Sequence, residues 1–193
     1  MENVINRFDG EYFFLSNFYQ CTVTYNGITY GSSEAAFQAQ KTLDIEKRKY
    51  FATLDPSKSK REGRRLVDLR SDWDDVKDKV MYKIVMAKFI QNPNLADKLL
   101  DTDDKMLVEG NGWNDRYWGM DYGCTVGRNQ LGKTLMAVRE NVRMIRVTHL
   151  LSRVEEQIEE LKNKAEQCKR SLKYLEKQTE SIKTFECTWW NNC

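Results

Sequence analysis

Histidine is almost missing from this chain, with a single residue, His149, in 193. The five cysteines, Cys21, Cys124, Cys168, Cys187 and Cys193, are an odd number and contain no CxxC pair. These absences argue against a Cys/His metal site, and each cysteine reads as a small buried hydrophobe or a free thiol. His149 stands apart from the other reactive side chains, so a Ser/His/Asp or Cys/His triad is not expected. No apolar run approaches the ~20 residues of a membrane span, and "MENVINRFDG" has no apolar leader. A cytoplasmic protein with no membrane association is the expectation. Charge of one sign is lacking too: 31 Lys and Arg face 29 Asp and Glu, for a net charge of +2. That balance argues against a dedicated binder of phosphate backbones, but it leaves room for a small basic cleft around one phosphorylated ligand.

What is present supports a folded core: 40% of residues are hydrophobic and 11% aromatic. The length suits one domain of about 140–150 residues plus an appendage. "CTVTYNGITY" places two β-rich arms around Asn26-Gly27 and predicts a hairpin. Upstream, "YFFLSNF" reads as an apolar strand ending in a turn at Ser16-Asn17. After the hairpin, Ser32 or Ser33 can cap a helix through "EAAFQAQKTLD". Asp55 and Pro56 start a second helix, and Ser71 with Asp74 forms a capping-box-like start for a long third one. The long helix carries an apolar stripe of Trp73, Val76, Val80, Ile84 and Ala87, widened by Met81, Val85 and Phe89. A short helix follows Pro93, and "MLVEG" reads as a buried strand. The Gly/Asn/Asp-rich "NGWNDRYWGMDYGCTVGRNQ" carries four aromatic rings and reads as a functional loop rather than disorder.

From about residue 148 the pattern changes. Leu151, Val154, Ile158, Leu161, Ala165, Cys168, Leu172, Leu175, Thr179 and Ile182 alternate spacings of three and four. This a/d register predicts a coiled-coil helix that self-associates through residues 148–186. The alternative is an amphipathic helix folded back on the domain. Neither the a layer nor the e and g charges set strand number or orientation. Trp189 and Trp190 read as a contact surface or an end cap. The expected organisation is therefore a head over 1–147 and a helix with an aromatic tail over 148–193. The fold class is mainly α with a few short antiparallel β-strands, plus the C-terminal coiled-coil helix.

Polar chemistry gathers at Asn17, along Glu34, Phe37, Gln38 and Lys41, and in "EGNGWNDRYWG" from Glu109 to Gly119. As a helix, positions 34, 37, 38 and 41 share one face. Carboxylates, a lysine and flat rings suit two chemistries. One is glycosidic cleavage through an oxocarbenium-like transition state. The other is nucleotide binding by stacking and cationic contact with phosphate. Composition does not separate them.

"SNF", "SSEAAFQAQK", "DWDDVKDKVM", "NDRYWG" and "GRNQLGKTLM" occur in the order seen in the NADAR (YbiA-like) family, and residues 6 to 145 resemble it. The resemblance implies a mainly helical fold with short antiparallel strands and N-glycoside hydrolysis without a cofactor. The substrates implied contain ribose-phosphate or ADP-ribose, including ADP-ribosylated guanine in DNA and reactive riboflavin-pathway intermediates. By motif, Glu34, Lys41 and Asp115 are the implied catalytic residues. Asn17, Phe18, Ser33, Gln38, Trp73, Glu109, Trp118 and Gly119 are the implied substrate-binding set. The chain departs from many members at Ala35 and Ala36, where they carry His and an aromatic residue, which bears on substrate choice. Each residue also has a plain structural role open to it: Glu34 as a helix-start acid, Lys41 as a surface lysine, Trp73 and Trp118 as core rings, Asp115 as a turn residue. Two competing functions remain at this level: a non-catalytic sensor or sponge for ADP-ribose-type ligands assembled by the coiled coil, and a structural protein with a vestigial head.

Overall fold

The structure, a computed structural model, describes residues 3–190, with side chains described through residue 182. The tail expectation at Trp189 and Trp190 lies outside the described side chains. Contacts divide the chain into two units, Met1–Met144 and Ile145–Cys193.

In the first unit, strands β2 (Gln20–Tyr25) and β3 (Ile28–Ser32) form the antiparallel hairpin, with Asn26 and Gly27 both at positive φ. Those two residues meet the demand of a tight primed turn, as the Asn-Gly pair predicts. Strands β1 (Val4–Ile5) and β4 (Met106–Leu107) pair in parallel, a pairing that the expectation of antiparallel strands did not include. The "YFFLSNF" stretch differs as well: Gly10–Leu15 is a 3-10 helix rather than a strand. Phe14 and Leu15 are buried while Phe13 is exposed, a pattern without the two-residue alternation of a strand.

Six α-helices follow among the described residues. Helix α1 (Ser33–Ala39) is capped by Ser32, whose hydroxyl accepts from the Ala35 N–H at 3.1 Å. All seven of its residues are buried, which its small serine and alanine side chains permit. It ends before Lys41. Gln40 caps it and directs its amide to the Ala36 carbonyl and the Tyr30 hydroxyl. Asp44 then starts α2 (Ile45–Ala52), accepting from the Glu46 and Lys47 amides. Lys41 therefore leaves the helical face on which its i+7 spacing from Glu34 would put it.

Helix α3 (Pro56–Arg65) has Asp55 as cap and Pro56 in its first turn, as expected. Helix α4 (Trp73–Gln91) has Asp72 at its cap position, but no side chain caps it. Asp72 is instead drawn into a bidentate pair with Arg70, which displaces the expected capping box. Buried Trp73, Val80, Met81, Ile84, Val85 and Phe89 follow the expected α4 stripe, each aliphatic or aromatic group contributing about 1.5–3 kcal/mol. Helix α5 (Pro93–Leu100) buries Leu95, Ala96 and Leu99, and the start of α6 (Gln130–Trp190) adds Leu131, Leu135, Val138 and Val142 to the core.

The second unit is the remainder of α6. Leu151, Val154, Ile158, Leu161, Leu172, Leu175 and Ile182, all members of the heptad stripe, are exposed in the single chain. No described helix is long and apolar enough to cross a membrane.

Candidate active site

The Ser16–Phe18 turn after the 3-10 helix, α1, α3, α4, the loop after β4 and the start of α6 line a small inner cavity of about 80 Å³. Glu34 of α1 faces it and is only 6% exposed. Its backbone N–H donates to the Asn17 carbonyl at 3.0 Å, which ties the Ser16-Asn17 turn to the first turn of α1. Glu34 Oε1 accepts from Gln38 Nε2 at 2.9 Å, one helical turn on. Burial pushes the Glu34 carboxyl up, opposed by the Gln38 hydrogen bond and by the charges of Lys60, Lys41 and Arg64.

Two further carboxyl groups face the same cavity. Burial lifts Glu109 to about 7, with Asp115 and Glu34 adding to the rise against the pull of Lys60 and Lys88. Glu109 Oε2 is buried without a hydrogen-bond partner. An acceptor of that kind costs roughly 1–3 kcal/mol unless something donates to it. Asp115 turns Oδ1 toward the amides of Tyr117 (3.1 Å) and Trp118 (2.9 Å), so it builds the turn as well as lining the cavity.

Buried asparagines hold both loop carboxylates in place. Asn129, at positive φ, accepts from the Glu109 N–H at 3.1 Å and donates to the Leu107 carbonyl at 2.8 Å. Asn111 accepts from the Asp115 N–H and donates to the Asp115 and Met120 carbonyls. Gly119 has a packing role here. A Cβ on it would overlap the Glu109 carbonyl and crowd Asn111, so glycine lets these two loop segments close on each other. Lys88 of α4 lines neither the cavity nor the cleft; it is almost wholly buried and donates to the Ser16 carbonyl at 2.9 Å. Burial lowers its amine to about 8.

Behind the cavity the rings form a row. Phe37 lies 5.0 Å from Trp73 and 5.3 Å from Trp118, and Trp118 lies 5.1 Å from Tyr117. Trp118 reaches the cavity, whereas Trp73 is buried in the core behind Phe37.

The inner cavity adjoins a wider cleft of about 730 Å³, with Ser16, Phe18, Lys60, Glu109 and Asp115 lining both. Phe13, Trp113 and Tyr122 supply aromatic walls in the cleft, and Arg7, Lys60 and Arg64 supply cations. Arg7 also lies 5.2 Å from the Tyr122 ring centre, and Lys60 lies 5.3 Å from that of Phe18.

Of the residues singled out from sequence, Asn17, Phe18, Glu34, Gln38, Glu109, Asp115 and Trp118 thus meet around one cavity. Ser33, Lys41, Trp73 and Gly119 do not line it. Lys41 donates to the Gly63 carbonyl at 3.1 Å, and burial lowers its amine. Gly63 in turn packs so closely on Gln38 that a Cβ there would overlap the Gln38 side-chain oxygen. Lys41 therefore reaches Glu34 through Gly63 and Gln38. Lys60 lines the cavity itself, and sequence reading passed over it together with Arg64, Arg7 and Phe13. Their one sequence signal is the i, i+4 pair of cations at 60 and 64 on α3. Among the described residues no group of three or more His, Cys, Asp or Glu could hold a metal ion.

A mainly helical head thus carries a buried carboxyl cluster beside an aromatic, basic cleft. The NADAR domain model matches residues 5–143, and the chain belongs to the NADAR domain family. The chain is 39% identical over 145 residues to N-glycosidase YbiA of Escherichia coli strain K12, covering 73% of this chain and 89% of that protein. It is 41% identical over 136 residues to the riboflavin biosynthesis protein VVA0006 of Vibrio vulnificus strain YJ016, covering 69% of this chain but 36% of that longer protein. The NMR structure of E. coli YbiA superposes with a TM-score of 0.67 at 37% identity, covering 76% of this chain and 89% of that one.

Proposed function

We propose that the protein is a cytoplasmic N-glycosidase that cleaves ribose-linked nucleotide derivatives and removes ADP-ribose from guanine in nucleic acid. The observation that carries this reading is the meeting of Glu34, Glu109 and Asp115 around one small cavity, with the first two carboxyls pushed upward, beside a cleft walled by rings and cations. Membership of a family with curated N-glycosidases supports it.

In this reading the reacting edge of the ribose enters the inner cavity. Ionising one carboxyl there raises its neighbour, so near neutral pH the cluster supplies both an acid and a base. Glu109, protonated below about 7, donates its proton to the departing base nitrogen as the bond to C1′ breaks. Ionised Glu34 stabilises the positive charge on C1′ and takes a proton from the incoming water, whose oxygen forms the new C1′–O bond. Asp115 holds ribose hydroxyls. Trp118 packs beside the sugar, while Trp113 and Tyr122 offer stacking faces for a base in the cleft. Lys60 and Arg64 meet phosphate oxygens there. Lys41 positions Gln38, and through it Glu34, rather than meeting the substrate. The exposed heptad stripe of α6 joins copies of the chain, because an apolar stripe of this length is poorly stable alone in water.

Incubation with ADP-ribosylated guanosine, run beside a riboflavin-pathway N-glycoside, tests the reading. Release of free ADP-ribose at a higher kcat/KM than the second reaction is expected. The reverse order assigns the site to riboflavin intermediates, and tight binding with no turnover of either makes the protein a sensor.

A further inference from the structure

A second basic hollow lies on α3 beside the cleft. Its volume is about 310 Å³, and Phe18, Ser57, Lys60, Arg61, Arg64 and Arg65 line it. Four cations, one hydroxyl and one ring thus face a single groove with no carboxylate among its lining residues. Glu62 lies against its edge, 3.3 Å from Arg61 Nε and 3.7 Å from an Arg65 guanidinium nitrogen through the same oxygen. One carboxylate against four cations leaves the groove strongly positive. The helix dipole accounts for cations in the last turn of α3, at Arg64 and Arg65. It does not account for Lys60 and Arg61, or for the convergence of all four on one groove. The whole chain carries only +2, so this is a local concentration of charge.

The groove joins the cleft through Phe18, Lys60 and Arg64, which line both. Ser57 to Arg65 spans about 12 Å at ~1.5 Å per residue, longer than one phosphate group. A ligand anchored by its sugar in the inner cavity would leave the cleft along this helix and meet successive cations beside a stacking ring. That combination suits the backbone of a single nucleic-acid strand. We propose that the outer face of α3 is a phosphodiester-backbone site, which holds the strand flanking the base whose glycosidic bond is cleaved. The proposal rests on the N-glycosidase reading for the placement of the reacting base, but strand binding stands apart from turnover.

Arg61 and Arg65 line the groove and not the cleft, so the double variant Arg61→Ala/Arg65→Ala separates the two sites. Binding of a fluorescein-labelled, unmodified single-stranded oligonucleotide is followed by anisotropy across a salt series. The variant is expected to bind at least about tenfold more weakly. Its slope of log K against log salt should fall by about 1.4, for two lost contacts at ~0.7 each. Turnover of ADP-ribosylated guanosine, which has no flanking strand, should stay unchanged. Lys58→Ala, a cation of the same helix outside the groove, should keep oligonucleotide binding within about twofold. Unchanged oligonucleotide affinity in the double variant overturns the proposal. So does an equal loss for nucleoside and strand in a variant whose circular dichroism matches the wild type. If the wild type binds strands but cleaves no nucleoside, the glycosidase reading fails while the strand site stands.

Discussion

Replacing Glu109 by glutamine should change how stability depends on pH. Burial, with Asp115 and Glu34 nearby, lifts the Glu109 carboxyl from 4.5 to about 7. Below about 4.5 the group is protonated whether the chain is folded or not, and it adds no pH dependence. Between about 4.5 and 7 the folded protein keeps a proton that the unfolded chain has lost, so stability falls as pH rises through this window. At ~1.36 kcal/mol per pKa unit the full effect is about 3 kcal/mol, an upper value because Glu109 keeps some contact with solvent. Glutamine keeps the shape without the ionisation. Urea unfolding at pH 5 and pH 8 should therefore show Glu109→Gln gaining about 2–3 kcal/mol over the wild type between the two conditions. Lys88, lowered to about 8, is held up in part by the Glu109 charge, so in the variant it loses its proton more readily and adds to the gain. Wild type and variant changing in parallel with pH would refute the assignment of a buried, proton-retaining carboxyl. The same group as catalytic acid should make kcat fall as pH rises above about 7.

Three other substitutions and one deletion test separate parts of the account. Gly63→Ala forces a methyl group into the Gln38 side chain, so overpacking of about 1–3 kcal/mol should lower the midpoint of thermal unfolding and reduce kcat through Glu34. Lys60→Ala should raise KM for a phosphorylated substrate much more than Lys41→Ala, whose loss of one hydrogen bond should cost about 0.5–1.5 kcal/mol of stability. Deleting the residues after 147 should abolish concentration-dependent association in light scattering while leaving a folded head, and a full-length chain that is monomeric at all concentrations contradicts self-association.

Local chemistry made much of the fold legible in the sequence. Asn26-Gly27, Ser32, Asp55-Pro56 and the α4 stripe each carry their own turn, cap or periodicity, and the structure follows them. Apart from the 3-10 helix at Gly10–Leu15 and the Arg70–Asp72 pair at the start of α4, the failures were non-local. Helix α1 stops at Ala39 because Gln40 bonds to Tyr30 of β3, and β1 pairs with β4 about a hundred residues away. The site divides along the same line. Glu34, Glu109 and Asp115 stand in compact motifs that drew attention to them. Lys60 and Arg64 become neighbours of those carboxylates because Gly63 lets α3 settle onto Gln38, a packing event with no local signature. Lys41 stands in the conspicuous motif, yet tertiary packing turns it to a backbone carbonyl.

The central claim is that Glu34 performs chemistry on a bound ribose rather than capping a helix. The most direct measurement is the comparison of wild type and Glu34→Gln for two quantities: binding of ADP-ribosylated guanosine by calorimetry, and release of free ADP-ribose under single-turnover conditions. The variant is expected to bind within a fewfold of the wild type and to lose cleavage by about two or more orders of magnitude, as removal of a general base would give. Cleavage at the wild-type rate by a folded Glu34→Gln protein would contradict the claim.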